Sequence, residues 1–441
     1  MSPRAFDDVA ECVESTLCRV GPRIVLALPL GIGKPNPLAN EFYRRAQRDS
    51  TITLKIFTAL SLRAPVWRGE LERRFLQPLV ERIFGNCVPL DYVRDLHAGA
   101  IPKNVEIVEF FLDPGALLHV AHSQRHYFST NYTHVARDVA AQGVNVIGQL
   151  IAKRSVEGRN EYSLGSNPDV TVDLLELLAP QRRRGRDVVV IGEINRQMPF
   201  MFGSAAVPAE TFDFLVDHSR YDYDLFAPPN QPLRTADHAI GLYGARLVQD
   251  GGTLQLGIGA LGNAVVFVWS YGNTTIPRHL RDIVITEYGV ADLRGRTDQE
   301  VIAALLNITD SRFQDALKRE AQLAGKLAPD YRIADMHRNN TPQALEERFV
   351  LPRARGLFSE FPFGTDLTRE EIVLAKALER LKDKSATDLS KARTVLSALL
   401  SRGTPASFRP YLQRMELDSP RTREQWLWQR LLVQELKGLE R

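Results

Sequence analysis

The sequence predicts an α/β fold made of two related open α/β halves, on three observations. The run Thr253-Leu254-Gln255-Leu256-Gly257-Ile258-Gly259-Ala260-Leu261-Gly262-Asn263-Ala264-Val265-Val266 reads as a buried strand, a tight glycine turn and the first turn of a helix. The same phrase occurs earlier. Leu28-Pro29-Leu30-Gly31-Ile32-Gly33 matches Leu254 to Gly259 except at Pro29 against Gln255, and an Asn follows each copy, at Asn36 and Asn263. Each copy ends a predicted strand, which suggests equivalent loops in two halves. Third, apolar strand-like runs alternate with helical periodicity along the chain.

Taken in order, residues 8–20 have the spacing of a short amphipathic helix, and Arg23 to Leu30 that of a buried strand ending at the first glycine turn. Leu38 to Gln47 is helical, and Thr51 to Leu62 is a strand with β-branched residues that runs towards Pro65. Glu70 to Ile83 is a charged helical stretch that Pro78 is expected to interrupt. Val105 to Leu112 is a strand stopped by Asp113-Pro114-Gly115. Val144 to Ala152 and Val188 to Ile191 are apolar runs of the kind parallel strands show when both faces are covered. Phe226-Ala227-Pro228-Pro229-Asn230-Gln231-Pro232 reads as a linker, and Thr235-Ala236-Asp237 caps a helix through Leu247. Asp282 to Thr286 is a strand ending at Glu287-Tyr288-Gly289-Val290, Asp298 to Lys326 is mainly amphipathic helix, and Pro342 to Arg355 is a connection. The tail is helical; its Leu374, Ala377, Leu378 and Leu381, spaced by three and four, form a packing or oligomer surface.

A chain of 441 residues predicts two or three domains with large cores, and 44% apolar and 25% charged residues are ordinary for a soluble protein. A formal charge of +3 is small for this size, so nothing at whole-chain level calls for nucleic acid. No apolar run is long enough to span a membrane, and Met1-Ser2-Pro3-Arg4 leads into no signal-peptide core. Cys12, Cys18 and Cys87 make neither a disulfide framework nor a CxxC pair. Together these features point to the cytoplasm and away from membrane partners.

Chemistry concentrates at the predicted strand ends. Gly257 and Gly259 let a ligand approach the backbone with no Cβ in the way, and the following helix start offers free N–H groups. Such a turn can cradle a phosphate, stabilise an oxyanion, or simply supply dihedrals that only glycine tolerates. Gly257 to Gly262 is also a literal GxGxxG, with Asp282 and Glu287 downstream, which on spacing alone suits a dinucleotide; a lone GxGxxG is weak. Glu193 and Asn195 follow a buried parallel strand, where open α/β sheets bind ligands, and Glu287 sits at another strand's carboxyl end beside a glycine. Each of these is equally readable as a loop residue that only bonds its own turn. Gly31-Ile32-Gly33-Lys34 lacks P-loop spacing, and Pro35 follows the lysine. His119, His122 and His126 have helical spacing, but zinc would need a further ligand such as His134, and no HExxH or Cys partner is present, so hydrogen-bonded or solvated histidines are the better reading. The arginines of Gln181-Arg182-Arg183-Arg184-Gly185-Arg186 read as a solvated loop rather than a phosphate site.

Several motifs together resemble the acetyl-CoA hydrolase/transferase family, and in particular its longer bacterial members with a C-terminal extension. They are GGTLQLGIGALGNAV (251–265), TEYGVADLRG (286–295), NYTHVARDVAAQGVNVIGQ (131–149) and EINRQMP (193–199), with LPLGIGKPN (28–36), Pro102-Lys103-Asn104-Val105 and FPFGTD (361–366) in agreement. The resemblance covers most of the chain in order. It implies two open α/β CoA-transferase-like halves, placed here at 1–230 and 231–325, and a helical extension at 326–441. It implies ping-pong chemistry on short-chain acyl-CoA, in which a Glu carboxylate becomes a mixed anhydride and then a glutamyl-CoA thioester. A small carboxylate or water then resolves that thioester. Coenzyme A is then a substrate, no metal or permanently bound cofactor is implied, and a homo-oligomer is expected. Residue by residue, Gly257 and Gly259 become the oxyanion or CoA-contacting turn, Glu287 the active-site carboxylate, and Glu193 and Asn195 its weaker neighbours.

The sequence departs from the family at one place. The nucleophilic Glu usually lies in a strand after the LQLGIGA motif, followed by a second glycine-rich loop, whereas Val268 to Thr286 contains no Glu at all. The second half therefore reads as shortened, which puts turnover in question and keeps a second reading open, a non-catalytic CoA-binding or assembly protein on the same fold.

Overall fold

A computed structural model describes residues 2–67, 69–113, 115–185, 187–226, 232–251, 281–362, 364–384, 398, 403 and 405–439. Contacts separate two compact units, Met1–Ala227 with Glu370–Arg441, and Pro228–Arg369.

The first unit is built on the runs that read as buried strands. Its strands are β1 (Arg4–Phe6), β2 (Arg23–Leu30), β3 (Thr53–Ala59), β4 (Val105–Glu109), β5 (Val146–Val156), β6 (Arg159–Ser163), β7 (Val189–Ile194), β8 (Ala206–Val207) and β9 (Phe214–Val216). Seven run in the order β1-β9-β7-β5-β2-β3-β4, every neighbouring pair parallel. The chain steps outward from β2 to β3 to β4, then returns to lay β5 on the other side of β2. That reversal opens a crevice outside the carboxyl ends of β2 and β5, the position where open α/β sheets bind ligands. β6 and β8 extend the far end of β5 in antiparallel fashion. The β5–β6 turn places Glu157 at φ 49° and Gly158 at φ 78°, the positive pair that a two-residue hairpin turn requires.

Between the strands lie α1 (Val9–Val20), α2 (Asn36–Arg48), α3 (Glu70–Phe84), α4 (Asp91–Ala98), α5 (Ala121–Arg125), α6 (Val135–Ala141) and α7 (Asp169–Arg183). Side chains of β2 alternate between two cores. Ile24, Leu26 and Leu28 join Val13, Leu38, Phe42 and Tyr92 on one face, while Ala27 joins Val135, Val139, Leu174 and Leu178 on the other. Two covered faces are why the central stretches of β2, β5 and β7 are largely apolar. Each fully buried Leu, Ile or Val contributes roughly 1.5–3 kcal/mol.

Helix α3 runs through Pro78 without a break, against the expected interruption. A proline has no N–H for the carbonyl four residues back, which here is Arg74 O. Arg414 fills the vacancy, donating from Nη1 to Arg74 O at 2.8 Å and from Nη2 to Phe75 O at 2.9 Å. The carboxyl-terminal helices thus repair α3 while packing on it. Leu374 and Ala377 of α12 (Arg369–Lys384), Leu412, and Leu432 and Leu436 of the last helix (Arg423–Leu439) form one core, with Leu71 and Phe75 against it. The tail's spacing by three and four is the signature of that packing.

The second unit holds α8 (Thr235–Ala245), the hairpin of β10 (Ile283–Thr286) and β11 (Gly289–Asp292), α9 (Asp298–Asn307), α10 (Ser311–Leu323) and α11 (Pro342–Ala354). The α8 cap comes from Asp237, which accepts from Arg234 N at 2.8 Å. The stretch expected to be a connection is the helix α11; Thr341 caps it by accepting from Ala344 N at 3.2 Å, and Pro342 stands in its first turn. Together the chain is a mixed α/β protein with a large parallel sheet and a helical carboxyl-terminal part. No helix among the described residues is long and apolar enough to cross a membrane.

Candidate functional site

The first glycine turn closes β2 at the crevice. Gly31 has φ 50°, and a Cβ at Gly33 would stand 2.7 Å from Asn167 Cβ, so both positions need glycine. Beyond the turn, every backbone donor at the start of α2 is already engaged. Asn36 N donates to Tyr223 Oη at 3.3 Å, Pro37 has no N–H, Leu38 N donates to Glu193 Oε2 at 2.9 Å, and Ala39 N donates to Pro35 O at 2.9 Å. Tyr223 Oη donates in turn to Lys34 O at 2.9 Å. This helix start therefore has no free backbone donors for an anion.

Glu193 and Asn195 are brought to that turn, but as its buried support. β7 runs on to Ile194, so Glu193 lies within the strand and is fully buried, as is Asn195 just beyond it. Burial pushes the Glu193 carboxyl up to about 8, against the pull of its bond from Leu38 N. Its Oε1 has no hydrogen-bond partner among the described residues. Asn195 donates from Nδ2 to Tyr223 O at 3.0 Å and accepts from Gln197 N at Oδ1 at 2.8 Å.

Beside the turn is a cleft of about 330 Å³. Ile32, Leu62, Val66, Phe84, Val93 and Phe226 supply apolar wall; Asn36, Cys87 and Tyr223 line it too, with exposed Arg63 and Arg94. Under it Lys34 is completely buried, and burial pushes its ammonium down to about 7 while the charge of Glu109 works the other way. Glu109, itself raised by burial, accepts from Ser61 N at 3.0 Å, and Ser61 Oγ shares a 2.8 Å hydrogen bond with Tyr92 Oη. A mainly apolar cleft with a cationic edge at strand carboxyl ends can take an apolar chain that carries an acid group.

Glu287 belongs to the second unit. It sits with Tyr288 at the tip of the β10–β11 hairpin and is half-buried. The hairpin is pinned by Thr286 Oγ1 donating to Ile308 O at 2.7 Å and by Tyr288 Oη donating to Asp310 Oδ2 at 3.0 Å. A Cβ at Gly289 would stand 3.0 Å from Ile308 Cγ2, a tight approach between the hairpin and Ile308. Gly257 and Gly259, with the rest of the GxGxxG phrase, lie outside the described residues.

The histidines have other work. His119 precedes α5 rather than sharing it; His122 Nε2 accepts from Ile107 N at 3.1 Å, and His126 stacks on His122 with ring centroids 4.0 Å apart. Among the described residues no three His, Cys, Asp or Glu side chains could hold a metal ion together. In the arginine run, Arg182 pairs with Asp213 at 2.8 Å, and Arg183 and Arg184 are exposed. Sequence reasoning missed Lys34, Glu109 and Tyr223. An amine four residues after the end of a buried strand and directly before Pro35 was a visible signal; nothing in Tyr221-Asp222-Tyr223-Asp224 marked Tyr223.

Comparison with known proteins supplies an independent view. The profile of the acetyl-CoA hydrolase/transferase C-terminal domain matches residues 257–321. A 4-hydroxybutyrate coenzyme A transferase of Clostridium kluyveri is 40% identical over 78 residues, which span 18% of this chain and 18% of that relative's length. Among solved structures, an M31G mutant of RipA matches over 73% of this chain and 98% of its own, with 13% identity and a TM-score of 0.52, a likeness of fold. A 4-hydroxybutyrate CoA-transferase of Porphyromonas gingivalis matches over the same shares, 73% and 98%, with 16% identity and a TM-score of 0.44.

Proposed function

We propose that this chain, which matches the acetyl-CoA hydrolase/transferase C-terminal domain over residues 257–321 and a 4-hydroxybutyrate coenzyme A transferase over 78 residues, is a member of that family and moves coenzyme A between short-chain acyl groups, as an acyl-CoA:carboxylate CoA-transferase or an acetyl-CoA hydrolase. The observation that carries this reading is the family match over 257–321, which encloses Gly257, Gly259 and Glu287. The family's TEYG glutamate, Glu287 here, is not the usual nucleophile; with no Glu from Val268 to Thr286, in the proposed reaction it takes that role, and its carboxylate oxygen attacks the thioester carbonyl as the CoA thiolate leaves, giving a mixed anhydride. The thiolate then attacks the glutamyl carbonyl of that anhydride, which releases the first acid as its carboxylate and leaves a glutamyl-CoA thioester. An incoming carboxylate reverses these two steps and departs as a new acyl-CoA; water instead of carboxylate gives net hydrolysis and restores Glu287. Backbone N–H groups at Gly257 and Gly259 are the candidate donors to each tetrahedral oxyanion.

In the same reading Glu193 and Asn195 serve ligand binding through the first glycine turn, which they support from beneath. The division at 1–230, 231–325 and 326–441, a cytoplasmic location and a homo-oligomer belong to this proposal as well. Nothing beyond the acyl-CoA and the small carboxylate is required as cofactor.

A second reading, a non-catalytic CoA-binding or assembly protein, is favoured by the absence of Glu from Val268 to Thr286. Incubation with acetyl-CoA, with and without a second carboxylate, separates the two when free thiol and new acyl-CoA are followed beside Glu287→Ala. Turnover that disappears in the variant supports the enzyme; acetyl-CoA binding with no turnover in either protein supports the second reading.

A further inference from the structure

Lys34 ends the first glycine turn, and no part of it reaches solvent. Its ammonium has three N–H bonds, and three backbone carbonyls face it: Ala59 O at 2.6 Å, Leu60 O at 3.1 Å and Gly31 O at 3.4 Å. All three partners are neutral, an unfavourable way to bury a charge unless the join itself matters. The residue at the join is unusual. Leu60 has φ 50°, a left-handed backbone that a branched residue seldom adopts, and it presents its carbonyl to Lys34 in that conformation.

The segments joined are the walls of the cleft. Gly31 and Ile32 come from the turn, and Leu62 and Arg63 stand two and three residues after Leu60. We infer that Lys34 is a positioning residue, a clamp that holds the first glycine turn against the end of β3 and thereby sets the width of the cleft. The inference does not depend on which ligand fills the cleft. Other groups fix the clamp's surroundings. From β4, Glu109 acts on the ammonium while holding Ser61 N; from α4, Tyr92 Oη meets Ser61 Oγ; and Tyr223 Oη holds the Lys34 carbonyl. With its ammonium held down to about 7, Lys34 is charged in mild acid and largely neutral at mildly alkaline pH, where an amine grips three carbonyls less well.

Cys87 lines the cleft and reports its opening. In the full chain carrying Cys18→Ser, which removes the exposed thiol, iodoacetamide labelling of Cys87 is compared with and without Lys34→Met. The ratio of the two rates at each pH cancels the thiol's own titration. The variant is expected to label about tenfold faster near pH 6 and to converge with its parent near pH 8.5, where the parent's clamp has also let go. A ratio of one throughout, with both proteins folded by circular dichroism, overturns the inference. Hydrogen exchange on the unmutated chain is the second measurement, and it decides the matter if Lys34→Met does not fold. Leu60 N donates to Phe111 O and Ser61 N to Glu109, and their protection is expected to fall about tenfold from pH 6 to pH 8.5 after correction for intrinsic rates. Unchanged protection counts against the clamp.

Discussion

Replacing Glu193 by Gln should make the first unit more stable at neutral and alkaline pH, by an amount that the burial of this side chain sets. In the unfolded chain the carboxyl ionises near 4.5; in the folded protein it holds its proton up to about 8. Between those values the folded state binds one more proton than the unfolded state, so stability falls as pH rises and stops falling once pH passes about 8. The loss is about 1.4 kcal/mol per pH unit, or on the order of 4 kcal/mol from pH 5 to pH 8. Glutamine has the shape of the protonated acid, its amide oxygen can accept from Leu38 N as Oε2 does, and it does not titrate. Urea unfolding of both proteins, followed by circular dichroism at several pH values, gives the difference in stability directly, and every unchanged group cancels. The variant should match its parent near pH 5 and exceed it by several kcal/mol near pH 8. Two parallel pH profiles would refute the argument, because they would mean that Glu193 reaches solvent or finds a partner for its charge.

Gly33→Ala should cost about 1–3 kcal/mol, since its Cβ would stand 2.7 Å from Asn167 Cβ; Asn167→Gly in the same chain should recover most of the loss in thermal unfolding. Glu371→Ala leaves the guanidiniums of Arg82 and Arg414, now at 2.6 Å and 2.7 Å from it, without their buried carboxylate; a loss of roughly 3 kcal/mol and faster limited proteolysis of the carboxyl-terminal helices are expected. His122 is held below its ordinary value, chiefly by burial and then by the neighbouring charges of His126 and Arg125. It therefore favours the fold while neutral, and that contribution is lost as pH falls below about 6.5. Exchange at Ile107 N, which His122 accepts, should accelerate in acid beyond its intrinsic trend, and His122→Phe should abolish the acid effect.

The parallel strands were legible because both their faces are covered: Leu26 and Ala27 point into different cores, so β2 reads as one apolar run after Arg23. Their order was not legible, because which strand lies beside β2 depends on pairings such as Leu26 with Val146, 120 positions along the chain. Pro78 misled for a related reason. The rule that proline ends a helix assumes no donor for the orphaned carbonyl, and Arg414 supplies one from the far end of the chain. At the site, the strand-end rule singled out Glu193 and Asn195 as ligand-binding candidates, and both are fully buried beneath the first glycine turn. Whether such a carboxylate faces a ligand or the core turns on one further strand residue, and β7 continues to Ile194. Glu287 was found as a strand-end carboxylate, while its setting on a two-residue hairpin depends on β11 folding back through Gly289.

The proposed function rests on a carboxylate that becomes covalently joined to coenzyme A, and peptide mass mapping after brief incubation with acetyl-CoA tests this most directly. The account predicts a coenzyme A thioester on Glu287, absent from Glu287→Gln and discharged when a small carboxylate is added. An adduct on a different glutamate, or turnover with no adduct at all, would contradict it.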